Sequence, residues 1–337
     1  MSAPRVSILL PAYQAAGTLA RAIASIREQT LSDWELLVVD DGSTDGTAEL
    51  VRGAAATDAR VRLLGQPHAG LVAALTRGLA EARGELIARM DADDESHPER
   101  LAAQVAALMA DPALGLVGCQ VEFGGDAQAS AGYALHVAWL NGLLTPQEIA
   151  LNRFIEAPFA HPSVMFRREI AARHGGYRDG DFPEDYELWL RWSDAGVRMG
   201  KVPRPLLRWN DGPTRLSRAD PRYAPEKFFA VKAGWLAREI NRHPGLPVWI
   251  WGAGRHTRKR AAHLGAHGIA IAGYIDVDAK KAGHVVGGVP VISPAELPPP
   301  GSRLILGYVS NRGAREYIRE QLTATGHVEG RDFLMCA

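Results

Sequence analysis

Short, nearly continuous apolar runs alternate with stretches where apolar residues recur every three or four positions. Val6-Ser7-Ile8-Leu9-Leu10 is the first such run, the pattern of a strand buried on both faces, and Pro11-Ala12-Tyr13 ends it. Leu19, Ile23 and Ile26 then share one helical face, which predicts a helix over residues 18–29. Residues 34–39 read as a second strand, ending at Asp40-Asp41-Gly42-Ser43-Thr44-Asp45-Gly46. A helix follows, with Ser43, Thr44 and Asp45 as candidate N-caps. Residues 61–64 predict a third strand, 71–83 a third helix and 85–90 a fourth strand. The acidic stretch Asp91-Ala92-Asp93-Asp94 follows, with a helix over 98–110 beyond it.

Strand and helix thus alternate with short connections, so the expected class is α/β: a mostly parallel sheet flanked by helices. Ligands bind such sheets outside the carboxyl ends of the strands. The loops at 11–13, 40–43 and 91–94 all lie at those ends.

Further along, 114–123 reads as a strand, 124–132 as a loop or crossover, 162–167 as a strand and 168–174 as a helix. A helix begins near Phe182, with Glu184 and Asp185 in its first turn, where free backbone N–H groups favour anions. Residues 206–209 give a late strand and 225–242 a long helix. His243-Pro244-Gly245 marks a domain boundary. A second α/β pattern then begins: a strand at 248–251, the turn Gly252-Ala253-Gly254, a helix over 258–264, strands at 269–275 and 304–309, and a helix over 314–322. The expected domains are 1–243, with a nucleotide-binding half to about 123 and an acceptor half from 124, and a smaller Rossmann-like domain over 246–337.

Length and composition fit two globular domains: 337 residues, 47% hydrophobic and 23% charged. Lys+Arg and Asp+Glu both number 38, so net charge gives no support for a polyanion partner, and no nucleic acid is expected. Cys119 and Cys336 are too few and too far apart for a disulfide framework or a metal knuckle. The N-terminus carries no secretory apolar segment and no run approaches a membrane span, so the expectation is cytoplasmic, with peripheral association at the inner face of the membrane left to a partner, a substrate or an amphipathic surface.

Three carboxylates within four residues repel one another. Either Asp91-Ala92-Asp93-Asp94 is a solvated acidic turn, or the fold gathers it around a hard divalent cation with oxygen ligands, Mg2+ or Mn2+. Asp40-Asp41-Gly42-Ser43 has its own plain reading as a strand-to-helix turn. Glu184 and Asp185 have theirs as helix-terminal acids.

Taken in order, the first-strand run through Tyr13, Val38-Val39-Asp40-Asp41-Gly42-Ser43-Thr44-Asp45 and Asp91-Ala92-Asp93-Asp94 resemble the family 2 glycosyltransferases, with their GT-A fold. His161-Pro162-Ser163, Gly176-Tyr177 and Glu184-Asp185-Tyr186-Glu187-Leu188-Trp189-Leu190-Arg191 continue the resemblance over about two-thirds of the chain. It implies transfer of a sugar from a nucleotide diphosphate sugar, with inversion, to an acceptor hydroxyl. By resemblance, Asp93 coordinates the cation, Asp91 contacts the metal or the ribose, and Asp94 supports them. Pro11, Ala12 and Tyr13 line the base pocket, with Asp40, Asp41 and Ala92 beside the nucleotide. Asp185 is the base and Glu184 positions the acceptor or the loop. Arg77 and Arg191 are candidates for the diphosphate, and His161 and Arg191 for the acceptor site; each has a plain structural alternative.

Members of the family often carry a histidine two residues after a late Leu-Arg pair. Here Leu207-Arg208 precedes Trp209-Asn210-Asp211, which leaves Asn210 or Asp211 as the further metal or diphosphate contact. In the tail, Gly252 and Gly254 lack the third glycine of a dinucleotide turn. That domain resembles the small Rossmann-like modules of sugar-modifying enzymes, as a nucleotide site or, preferably, a structural or docking module. Competing readings are a sugar-phosphate nucleotidyltransferase, whose Gly-rich basic signature is missing after the first strand, and a non-catalytic nucleotide-sugar-binding regulator.

Overall fold

A computed structural model describes residues 3–126, 130–212 and 216–337, which form two compact units. Residues 1–149, 158–180 and 191–220 make the first unit; 150–157, 181–190 and 221–337 make the second. The chain thus passes into the second unit twice before the last strand of the first.

The first unit is built on eight strands: β1 (Val6–Ala12), β2 (Trp34–Asp40), β3 (Val61–Gly65), β4 (Leu86–Arg89), β5 (Glu95–Ser96), β6 (Leu114–Phe123), β7 (Met165–Arg167) and β8 (Arg198–Trp209). Their order is β3-β2-β1-β4-β7-β6-β8-β5. Strands β3, β2, β1 and β4 form a parallel block, β7 runs antiparallel to both β4 and β6, and β6 pairs in parallel with β8. Every residue of β1 and β2 is buried, as a strand covered on both faces requires. The helix Leu19–Arg27 contributes the stripe Leu19, Ala22, Ile23 and Ile26 to a core shared with Ile8, Leu10, Leu36, Val38 and Leu101. Glu35, inside β2, is tolerated there because Ser7, Arg62 and Arg83 donate to its carboxylate.

The second unit is built on β9 (Val248–Trp251), β10 (Ile271–Ile275), β11 (Val285–Val286), β12 (Val289–Ile292), β13 (Leu304–Gly307) and β14 (Phe333–Met335), in the order β11-β12-β10-β9-β13-β14. All neighbours are parallel except the β11–β12 hairpin. Its core joins Tyr186, Leu190, Leu236, Ile250, Leu264 and Tyr308. Lys232, 1% exposed on the helix Pro225–Ile240, ties three segments together by donating to the carbonyls of Phe154, Ile155 and Cys336 at 2.8, 3.0 and 2.9 Å.

Several elements differ from the sequence expectation. The helix Thr47–Thr57 takes Gly46, at φ +93°, as its N-cap, not Ser43, Thr44 or Asp45. Asp45 still serves that terminus, accepting from the N–H and hydroxyl of Thr47 at 3.1 and 2.6 Å. Residues 161–163 form a 3-10 turn before β7 rather than the start of a strand. Of the expected loop 124–132, residues 127–129 lie outside the described residues, and the helix Ala131–Gly142 begins before its end. Strand β8 starts at Arg198, well before Leu206; Pro203 and Pro205 fit because the β6–β8 register shifts around Gln120.

Candidate active site

Asp91 leaves the sheet where β4 ends beside β1: Leu9 is in register with Arg89, and the Met90 N–H donates to the Leu9 carbonyl at 3.0 Å. The following turn gathers Asp91, Asp93 and Asp94, whose carboxylate oxygens can all lie within 4.8 Å of one another. Asp94 is 1% exposed and the other two are partly exposed. Arg89, also 1% exposed, meets Asp91 Oδ1 at 2.7 Å from the protein side. Below it the buried Arg100 donates to the carbonyls of Arg89 and Pro162 at 3.0 and 2.6 Å. Asn210, past the end of β8, closes the turn: its N–H donates to Asp94 Oδ1 at 2.8 Å and its amide to the Asp93 carbonyl at 2.7 Å. The Asp211 carboxylate meets Arg218 at 2.6 Å. An all-oxygen donor set of three carboxylates, with Arg89 against one of them, fits a hard divalent cation.

The loop after β2 lies on the same edge, because Ala12 is in register with Asp40 and the Asp41 N–H donates to the Ala12 carbonyl at 2.9 Å. The two aspartates differ. Asp41, 3% exposed, accepts from the Gln66 amide at 2.6 Å and the N–H groups of Ala69 and Gly70 at 2.9 and 2.8 Å, and meets His68 Nδ1 at 2.8 Å. It thereby fixes the entry to the helix Leu71–Glu81. Asp40, 6% exposed, accepts from the Ser43 N–H at 3.2 Å through Oδ1. Gly42 sits at φ +78°, and a Cβ there would come 2.8 Å from the His68 backbone nitrogen, so both conformation and space call for glycine.

Pro11 and Ala12 are buried, while the Tyr13 ring is 49% exposed and stacks on His68 with centroids 4.1 Å apart. Gln14, at φ +52°, is the one non-glycine with positive φ among the described residues. The strained turn is stitched to the 43–47 loop: the N–H groups of Gln14, Ala15 and Ala16 donate to Ser43, Thr47 and Asp45. Hydrogen bonds from Thr47 and the Ala16 N–H hold the Asp45 carboxyl below its ordinary pKa.

Glu184 and Asp185 open the helix Glu184–Asp194 and belong to the second unit. Glu184 is 2% exposed and accepts from the Tyr223 hydroxyl at 2.6 Å; burial first, then the Glu184 charge, pushes that phenol far above its usual range. Asp185 is partly exposed and accepts from the Tyr186 N–H at 2.7 Å. In the first unit, His161 Nε2 lies 3.1 Å from the Tyr177 hydroxyl. The Arg191 guanidinium reaches the carbonyls of His174, Gly175 and Gly176 at 2.5, 2.7 and 2.6 Å, which ties it to that turn. Arg77 donates to the Gly65 carbonyl at 2.6 Å, and Ala92 packs at the edge of the core. In the second unit Gly252 needs its φ of +109°, whereas Gly254 has an ordinary φ of −67°.

Residues 7–175 match the model of Glycosyl transferase family 2, half of the chain. The chain belongs to glycosyltransferase family 2. It is 33% identical over 216 residues to the putative glycosyltransferase EpsE of Bacillus subtilis, covering 61% of this chain and 73% of that one. Against the O-antigen biosynthesis glycosyltransferase WbnJ of Escherichia coli the identity is 28% over 60% of this chain and 78% of the relative. The O-antigen biosynthesis protein RfbC of Myxococcus xanthus is 31% identical over 62% of this chain, which spans only 16% of that relative. The fold of S. aureus TarS 1-349, solved with UDP-GlcNAc, superposes with a TM-score of 0.55 at 15% identity, over 77% of this chain and 71% of that one. The sheet order and this likeness make the first unit a GT-A-type fold.

In this family 2 enzyme, three side chains that hold these turns lie outside the motifs: Arg89, His68 and Tyr223. Arg89 is the most visible, a charge directly after the apolar run Leu86-Ile87-Ala88. His68 and Tyr223 carry no local signal, because only the folded chain brings them to Asp41 and Glu184.

Proposed function

We propose that this family 2 glycosyltransferase moves a sugar, with inversion, from a nucleotide diphosphate sugar to a hydroxyl of a carbohydrate or lipid-linked acceptor. A UDP-sugar is the favoured donor. The setting is assembly of cell-surface polysaccharide, lipopolysaccharide or another glycoconjugate, at the cytoplasmic face of the membrane. The observation that carries the reading is the gathering of Asp91, Asp93 and Asp94 at the sheet edge that also presents Asp40 and Tyr13. The O-antigen biosynthesis proteins among the relatives support the polysaccharide setting.

Each residue then has a task. Tyr13 packs against the base, Asp40 accepts from a base N–H, and Asp41 keeps the 66–70 loop in place. Asp93, with Asp91, holds Mn2+ or Mg2+, which when bound acts as a Lewis acid for the negative charge that develops on the leaving diphosphate. Arg89 orients Asp91, and Asn210 holds the turn that bears Asp93. Asp185 takes the acceptor hydroxyl proton while that oxygen bonds to the anomeric carbon. The bond from this carbon to the diphosphate oxygen breaks, and its electron pair leaves with the nucleoside diphosphate. Glu184, held by Tyr223, steadies the turn that carries the base.

A panel of UDP-, GDP- and dTDP-sugars, measured by calorimetry and slow donor hydrolysis with and without Mn2+, tests this. At least one donor binds and is hydrolysed only with metal; binding of none, under any metal, contradicts the reading.

A further inference from the structure

The carboxyl ends of β6 and β8 carry an aromatic group beside the acid cluster. Phe123 closes β6 and Trp209 closes β8 as parallel partners in register. Tyr133, on the helix Ala131–Gly142, lies 5.5 Å from the ring of Phe123 and 5.3 Å from that of Trp209. The series continues along the helix, with His136 5.9 Å from Tyr133 and Trp139 5.8 Å from His136. The interplanar angles run from 32° to 51°, so these rings meet tilted rather than covering one another face to face. Tyr133, His136 and Trp139 are all partly exposed.

Two further observations define what would fit. The helix itself contains no Asp, Glu, Lys or Arg, and Leu135 between the rings is 51% exposed, so its own side chains carry no permanent charge. The aromatic face is also continuous with the donor side: Trp209 is followed by Asn210, whose amide donates to the Asp93 carbonyl. Aromatic rings with polar tips beside a reacting centre suit a neutral, amphipathic ring, since the apolar C–H face of a pyranose packs on an aromatic face while its hydroxyls stay solvated.

We infer that the Tyr133–His136–Trp139 face is the acceptor subsite and receives an uncharged pyranose. This rests on the donor assignment of Asp93 above, and it names the acceptor's chemistry and place. The probes are the methyl pyranosides of glucose, galactose, mannose and N-acetylglucosamine, followed by saturation-transfer NMR on the full-length protein, with calorimetry of UDP and GDP plus Mn2+ in parallel. At least one glycoside binds the native protein. Trp139→Ala weakens it at least ten-fold, Trp139→Phe restores most of the loss, and nucleotide affinity stays within two-fold in both variants. Glycoside binding unchanged in Trp139→Ala and in Tyr133→Ala overturns the inference, as does binding of no glycoside. Retention on phosphatidylglycerol vesicles without glycoside binding also overturns it, by giving the face to a lipid surface. Failure of the native protein to bind either nucleotide is a separate result: it removes the donor reading, whereas lost nucleotide binding in Trp139→Ala alone removes the subsite.

Discussion

Two turns at the carboxyl ends of parallel strands, one in each sheet, use acidic residues in opposite ways. In the second unit, Asp276 follows β10 and closes the Gly252-Ala253-Gly254 turn after β9. It accepts from the Ala253 N–H at 2.8 Å and the Asp278 N–H at 2.9 Å, and pairs with Lys281 at 3.2 Å. The backbone donor that an incoming phosphate would use already serves an internal carboxylate. In the first unit, Asp91, Asp93 and Asp94 are brought together instead, within 4.8 Å. At an effective dielectric near 20, two carboxylates about 5 Å apart repel by about 3 kcal/mol. Arg89 offsets part of this at Asp91, and a divalent cation would complement the negative charge that remains, whereas Asp276 is already paired with Lys281. Acidic residues that follow a parallel strand thus meet different surroundings in the two sheets: internal donors hold Asp276, whereas Asp91, Asp93 and Asp94 are clustered.

The contrast breaks most sharply at Asp93. Asp93→Asn should lower donor turnover about a thousand-fold and abolish its Mn2+ dependence, read by nucleoside diphosphate release. Asp276→Asn, by comparison, should leave turnover within two-fold and lower the melting temperature. The next largest effect is on Asp185. Asp185→Asn should cut transfer by about 10²–10⁴ while nucleotide affinity by calorimetry stays unchanged; native turnover would remove Asp185 from the base role.

Much of this was legible in the chain. The apolar runs located β1, β2 and β4 because strands buried on both faces leave little polar alternation to misread. The acidic loops could be placed on one edge because parallel connectivity fixes which strand ends face the same way. The helix Ala131–Gly142 was hidden for the opposite reason: apolar on nearly every side, it shows no stripe of period 3.6. The first half of β8 was hidden by Pro203 and Pro205, which read as strand-breakers until the register shift accommodates them. The division of labour between Asp40 and Asp41 is invisible in two adjacent identical letters, because it is set by the distant donors Gln66, His68, Ala69 and Gly70.

That division yields a stability prediction. Asp41→Ala leaves several donors of the 66–70 loop without their acceptor and should cost about 3 kcal/mol in urea unfolding of the first unit. Asp40→Ala should cost well under half of that while weakening nucleotide binding more.

The smallest effects separate the units by pH. Burial alone would raise the Glu35 carboxyl, but hydrogen bonds from Arg83, Ser7 and Arg62 outweigh it and bring the pKa down from 4.5 to about 2. Its contribution is present above pH 4.5 and is lost as pH falls through about 2. Lys232 is pushed down by burial from 10.5 to about 8. Between those values the unfolded chain holds more protons, so raising the pH disfavours unfolding and stability climbs across that window. Urea midpoints should lose the acid limb in Glu35→Gln and the alkaline rise in Lys232→Met.

The most direct measurement is anomalous diffraction from crystals soaked with UDP and Mn2+. A manganese peak within coordination distance of an Asp93 carboxylate oxygen is the predicted result. A bound nucleotide with manganese absent from the Asp91–Asp94 turn, or seated elsewhere, would contradict the account.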